Sequence, residues 1–128
     1  MIHSALRLIE QALDEPMEWI ISDQVYIEFY RLLRNPLVLK KPLDAPGAYE
    51  RINFFRNQSG FLHCGYETGC FQEMIPFLEN KKFPASKTFD LLLAVTLKKN
   101  GVRTFYTRNV KNFRIFPWFS LSDPISDI

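Results

Sequence analysis

The sequence predicts an α/β domain, and three observations predict it. Short apolar runs of strand type, Trp19–Ser22, Phe61–Cys64 and Arg103–Thr107, alternate with longer stretches of helical periodicity. That alternation implies a parallel sheet covered on both faces. A length of 128 residues supports one hydrophobic core and leaves little for a second, so one domain over residues 1–128 is expected. Hydrophobic residues at 47% and charged residues at 23% are typical of a folded chain and exclude disorder. No apolar run approaches the roughly 20 residues of a membrane span. Met1-Ile2-His3-Ser4-Ala5 lacks the basic-then-apolar layout of a signal peptide. A cytoplasmic protein with no membrane partner is expected.

The elements follow in order. His3–Asp14 reads as an amphipathic helix with Leu6, Ile9 and Leu13 on one face, ending before Pro16. Trp19-Ile20-Ile21 is a short buried strand. Ser22-Asp23 caps the next helix, Gln24–Arg34, and Asn35-Pro36 closes it. A proline-punctuated connection, Leu37–Gly47, leads to a helix over Ala48–Asn57. Ser59-Gly60 turns into the strand Phe61–Cys64. Thr68–Asn80 is a fourth helix, in which Pro76 predicts a kink or a split. A basic loop, Lys81–Lys87, precedes a fifth helix, Thr88–Asn100. Gly101 stops that helix before the strand Arg103–Thr107, and Phe119–Leu121 is a candidate final strand.

Charge is distributed unevenly. The net value is only +2, yet Lys81 to Arg114 holds nine basic residues and one acid, a net +8. The remainder holds seven basic residues and thirteen acids, a net −6. The contrast suits a polyanion-binding surface, and equally a set of solvated lysines. Cys64 and Cys70 fit no zinc ligand set, and His3 and His63 do not complete one. A reduced, buried thiol pair is expected.

Three places could carry chemistry. On the helix Gln24–Arg34, Val25, Phe29, Leu32 and Leu33 form an apolar stripe, and Glu28 falls within it. A carboxylate there is costly unless a cation or metal pairs with it; the alternative is an edge glutamate reaching water or Arg31. Asp90 is the lone acid of the basic segment and opens a helix that is apolar nearly all round, though a helix-dipole contact also explains an acid in a first turn. Thr107-Arg108-Asn109 follows the last clear strand, at the carboxyl edge where such sheets bind ligands. Arg108 can clamp a phosphate there, while Asn109 could simply be a helix N-cap.

From about His3 to Pro124 the chain resembles a VapC-type PIN domain. Gln24-Val25-Tyr26-Ile27-Glu28-Phe29-Tyr30-Arg31 resembles the family's second acidic helix, with Glu28 at the acid. Phe89-Asp90 with Leu93-Ala94 and Gly101-Val102 resembles the third acidic motif, with Asp90 at the acid. Thr107-Arg108-Asn109-x-x-Asn112-Phe113 resembles the fourth, except that both candidate acid positions are amides. The resemblance implies a three-layer fold with a parallel sheet of strand order 3-2-1-4-5. It also implies RNA phosphodiester hydrolysis with Mg²⁺ or Mn²⁺, and a small antitoxin partner of VapB type; a homodimer is left open. Glu28 and Asp90 would converge as metal ligands, and Asn109 or Asn112 would orient a ligand or a water. Lys98, Lys99, Arg103, Arg108, Lys111 and Arg114 would face RNA.

The family opens with a strand of the type apolar-apolar-Asp-x-Asn. No strand is expected before His3 and no acid precedes Glu10, so the central first strand is expected to be absent from this chain. Two functions follow from the resemblance: a toxin-like endoribonuclease, or a catalytically inactive remnant that binds RNA or antitoxin. An unrelated basic α/β RNA-binding domain is a third.

Overall fold

A computed structural model describes residues 2–124 of the chain. By contacts the described residues divide into two compact units: 11–63 form one, and 2–10 with 64–124 form the other. Helix α1, Ile2–Asp14, has Ala12 buried, whereas Ile9 and Leu13 are exposed; the side chain of Leu6 lies outside the described ones. At Ile9 and Leu13 the expected apolar face is therefore exposed.

In the unit of residues 11–63, strand β1 (Ile20–Ser22) runs directly into helix α2 (Asp23–Leu33). The junction is sharp because Ser22 Oγ accepts a hydrogen bond from the Val25 amide at 3.2 Å, satisfying a donor that the first helical turn leaves unpaired. Asp44 caps helix α3 (Ala45–Asn53) in the same way through Gly47, so α3 begins three residues before the expected Ala48. It passes into a single π-helical turn, Phe54–Gln58, closed by a bond from Ser59 N–H to the Phe54 carbonyl. Gly60 then takes φ +87°, a left-handed conformation that disfavours any side chain. Strand β2 (Leu62–Cys64) pairs with β1, and the Leu62 amide donates to the Trp19 carbonyl at 2.9 Å. Buried Tyr26, Ala48 and Phe61 form this unit's centre, with Phe55 stacked on Phe61.

In the other unit, helix α4 (Thr68–Leu78) and helix α5 (Thr88–Lys99) pack against each other. Pro76 does not split α4, which runs unbroken from Thr68 to Leu78. It stands two residues from the end, where the lost amide affects only the final turn. On α5, Leu91, Leu93, Ala94, Val95, Thr96 and Leu97 are all buried, as expected for a helix apolar nearly all round. Gly101, at φ +79°, ends it. Strand β3 (Thr104–Tyr106) is followed by a short helix α6 (Val110–Phe113), which periodicity did not reveal, and then strand β4 (Ser120–Ser122).

Strands β3 and β4 are parallel, with Thr104 opposite Ser120 and Tyr106 opposite Ser122. The described strands thus form two separate two-stranded sheets, β1 with β2 and β3 with β4. Beneath the second lie buried Phe113 and Phe116, in ring contact with Phe105, Phe77 and Trp118. Cys64 and Cys70 are both buried. Among the described residues no helix is long and apolar enough to cross a membrane.

Candidate functional site

The parallel register of β3 and β4 brings two chain segments to one edge. With Tyr106 beside Ser122 and the Thr107 amide donating to the Ser122 carbonyl at 2.9 Å, the chain leaves both strands at the same end. Arg108 follows one strand and Asp123 the other. Arg108 Nη1 donates to both carboxylate oxygens of Asp123, at 3.1 and 3.0 Å. Between the strand ends, Thr107 Oγ1 accepts from the Asn109 amide at 3.1 Å, turning the backbone into α6. Asn109 occupies the cap position of α6, but its side chain makes no capping bond. The N-cap explanation of this residue therefore lacks its usual hydrogen bond.

Phe113 anchors α6. It is 3% exposed and meets Phe105 at a centroid distance of 4.8 Å, edge to face. With Phe113 buried, its neighbours Lys111, Asn112 and Arg114 are exposed. Arg108, Asn109, Val110, Lys111, Asn112, Arg114 and Asp123 line one cleft of about 400 Å³. Three cations and one carboxylate give it a net +2, and two amides supply both donors and acceptors. Such a lining can hold a phosphate group through charge-assisted hydrogen bonds.

The other candidates stand elsewhere. Asp90 lies in the first turn of α5, half-buried; burial raises its carboxyl above the ordinary carboxylate value, with Lys87 pulling the other way. Lys98 and Lys99, in the last turn of α5, pair with Glu73 at 3.6 and 3.3 Å, and Lys98 Nζ sits 4.7 Å from the Trp118 ring centroid. Arg103 is exposed, and its carbonyl accepts from the Ser120 amide in extension of the β3–β4 ladder. None of these four residues lines the cleft.

Glu28 belongs to the unit of residues 11–63 and is exposed. Of the stripe expected around it, Val25, Phe29 and Leu33 are half-buried and Leu32 is exposed, while Tyr26 is the fully buried residue of α2. A tyrosine ring is amphipathic, so Tyr26 can take a buried position without standing out as an apolar mark in the sequence. The Tyr26 hydroxyl hydrogen-bonds His63 Nδ1 at 3.1 Å, and Arg56 lies 5.7 Å from its ring centroid while pairing with Asp23 at 3.0 Å. Burial pushes the phenol up to about 12, against the opposing pull of Arg56. Among the described residues no three of His, Cys, Asp and Glu group as a metal site.

Asp123 is the cleft residue that sequence reasoning missed. Nothing near it in the chain marks it; only the β3–β4 register, which sets residue 106 beside residue 122, identifies it.

Ribonuclease VapC24 of Mycobacterium tuberculosis, in strains CDC 1551/Oshkosh and ATCC 25618/H37Rv, is 32% identical to this chain over 106 residues. The match covers 83% of this chain and 72% of that protein. No family model matches the chain, and no solved structure does.

Proposed function

Because the chain belongs to the VapC family of ribonucleases, we propose that it has a PIN-type fold and is a toxin-like endoribonuclease. Its substrate is RNA, its cofactor Mg²⁺ or Mn²⁺, and its partner a small antitoxin of VapB type. The observation that carries this reading is the relationship itself: 32% identity sustained over 106 residues to a protein named as a ribonuclease. The ladders support the finer fold assignment, since β1–β2 and β3–β4 correspond to the outer pairs 2-3 and 4-5 of the order 3-2-1-4-5. The basic cleft beside β3 supports an RNA substrate.

The donors fit a hard divalent cation in kind: the carboxylates of Glu28 and Asp90, and the amide oxygens of Asn109 and Asn112, are all oxygen ligands. When bound, such an ion activates a water and offsets charge developing on the phosphate. Glu28 and Asp90 would hold it, and Asn109 or Asn112 would orient a ligand or a water. Arg108, Lys111 and Arg114 would bind the RNA backbone. Lys98, Lys99 and Arg103 would add field along the same basic segment.

One observation favours a binding-only reading. Amides stand at Asn109 and Asn112, where the family carries an acid, and no three-acid group occurs among the described residues. RNA cleavage assays with and without Mg²⁺ separate the two. The enzyme reading expects Mg²⁺-dependent cleavage that Glu28→Gln and Asp90→Asn each lower about a hundredfold or more, at or beyond what outer partners of a metal site typically cost. Salt-sensitive RNA binding without any cleavage would establish the binding module instead.

A further inference from the structure

We propose that Asp123 is a specificity-determining residue of the cleft, an internal anion that competes with RNA phosphate for Arg108. The inference rests on the reading of the cleft as an RNA-binding surface and adds to it a residue that controls one contact.

The geometry supplies the competitor. Both Asp123 oxygens accept from Arg108 Nη1, at 3.1 and 3.0 Å, so the carboxylate takes guanidinium hydrogen bonds of the kind that a phosphate would take. The two partners are unequally held. The Asp123 side chain is 14% exposed, and that of Arg108 is 57% exposed. Asp123 is therefore the fixed member and Arg108 the one that can swing. An ion pair with so exposed a cation is weak and yields to a stronger anion.

Lys111 and Arg114 line the same cleft and have no carboxylate partner among the ion pairs of the described residues. A polynucleotide anchored on them brings a further phosphate to Arg108 at high local concentration. An isolated anion lacks that anchorage and must displace Asp123 unaided. Asp123 thus makes Arg108 answer to a chain of phosphates rather than to a single one. While the pair is closed, Arg108 is already neutralised and releases little counterion on RNA binding.

The test is fluorescence anisotropy of a short fluorescein-labelled oligouridine with the full chain, in EDTA so that nothing is cleaved, across a salt series. Asp123→Asn should tighten binding about threefold or more and steepen the salt slope by about one, the contribution of one phosphate contact. The gain should vanish in the Arg108→Gln background, because the two residues act as a coupled pair. Should Asp123→Asn lose its cooperative unfolding transition, Asp123→Ser carries the same expectations.

Unchanged binding by the Asp123 variants overturns the proposal. A gain that persists without Arg108 also overturns it, since that reports only overall charge. The Lys111→Gln/Arg114→Gln double variant distinguishes this failure from a wider one. If that variant flattens the slope while Asp123→Asn matches wild type, only the competitor is wrong. If no form of the chain binds the oligouridine, the RNA-binding reading fails and the competitor fails with it.

Discussion

Asp90 shows how burial can set a charged residue against folding. It gains from the helix dipole, worth about 0.3–1 kcal/mol in a first turn. Burial nevertheless raises its proton affinity in the folded chain, so the cost of desolvation outweighs that gain. The sign follows directly. A carboxyl whose folded pKa exceeds its unfolded one favours the folded state at low pH. That contribution is lost as pH rises from the ordinary carboxylate value through the raised one. In EDTA, Asp90→Asn should therefore be more stable than wild type at neutral pH, with the difference closing below the ordinary carboxylate range. Urea midpoints at several pH values measure this. Adding Mg²⁺ should then stabilise wild type and leave Asp90→Asn unmoved, because a cation favours the charged form. Equal responses of the two proteins to Mg²⁺ would remove Asp90 from the proposed ligand set.

Helices α2 and α3 begin where a side chain satisfies a backbone amide, and α5 ends at a glycine. Helix α2 starts at Ser22 because that hydroxyl takes the Val25 amide within a residue that is 1% exposed. Ser22→Ala should cost about 1 kcal/mol, the usual worth of a serine cap. The urea midpoint should fall with no change in slope, since the surface exposed on unfolding stays the same. The same accounting explains why α3 starts just after Asp44, at Ala45, rather than at the expected Ala48. It also explains why Pro76 is tolerated: in the last turn of α4 its missing amide removes one bond and leaves the remainder of the helix intact. Element α6 is a tertiary product. Four residues are too few to be stable on local propensity, and buried Phe113 holds them in place.

At the scale of the whole molecule, the uneven charge is the property most open to measurement. The +8 segment between Lys81 and Arg114 is not uniform in the structure: Lys98 and Lys99 share Glu73, while Lys111 and Arg114 line the cleft. If the segment binds RNA, Lys111→Gln/Arg114→Gln should lower the salt slope by about two, roughly one for each phosphate contact removed. Lys98→Gln/Lys99→Gln should lower it by less, because Glu73 already offsets part of that charge. Equal effects from both pairs would mean that the cleft has no special place in binding. Salt-independent binding would reduce the whole segment to a solvated surface.

The alternation of strand and helix, the buried α5, the serine cap of α2 and the glycine stop after α5 were all legible in the sequence, because each depends on residues within a few positions of one another. So was the basic run that holds Arg108, Lys111 and Arg114. The covered face of α2 was legible only in part: Val25, Phe29 and Leu33 are half-buried, but Leu32 is exposed. Amphipathic Tyr26 took the interior and Glu28 the surface, a choice set by His63 and Arg56, which lie far along the chain. Of α6 only the cap position at Asn109 was legible, and the partnership of Arg108 with Asp123 across fifteen positions was not. That pairing exists because two parallel strands, far apart in sequence, end side by side, and which residue lies opposite which is settled only when the strands pair.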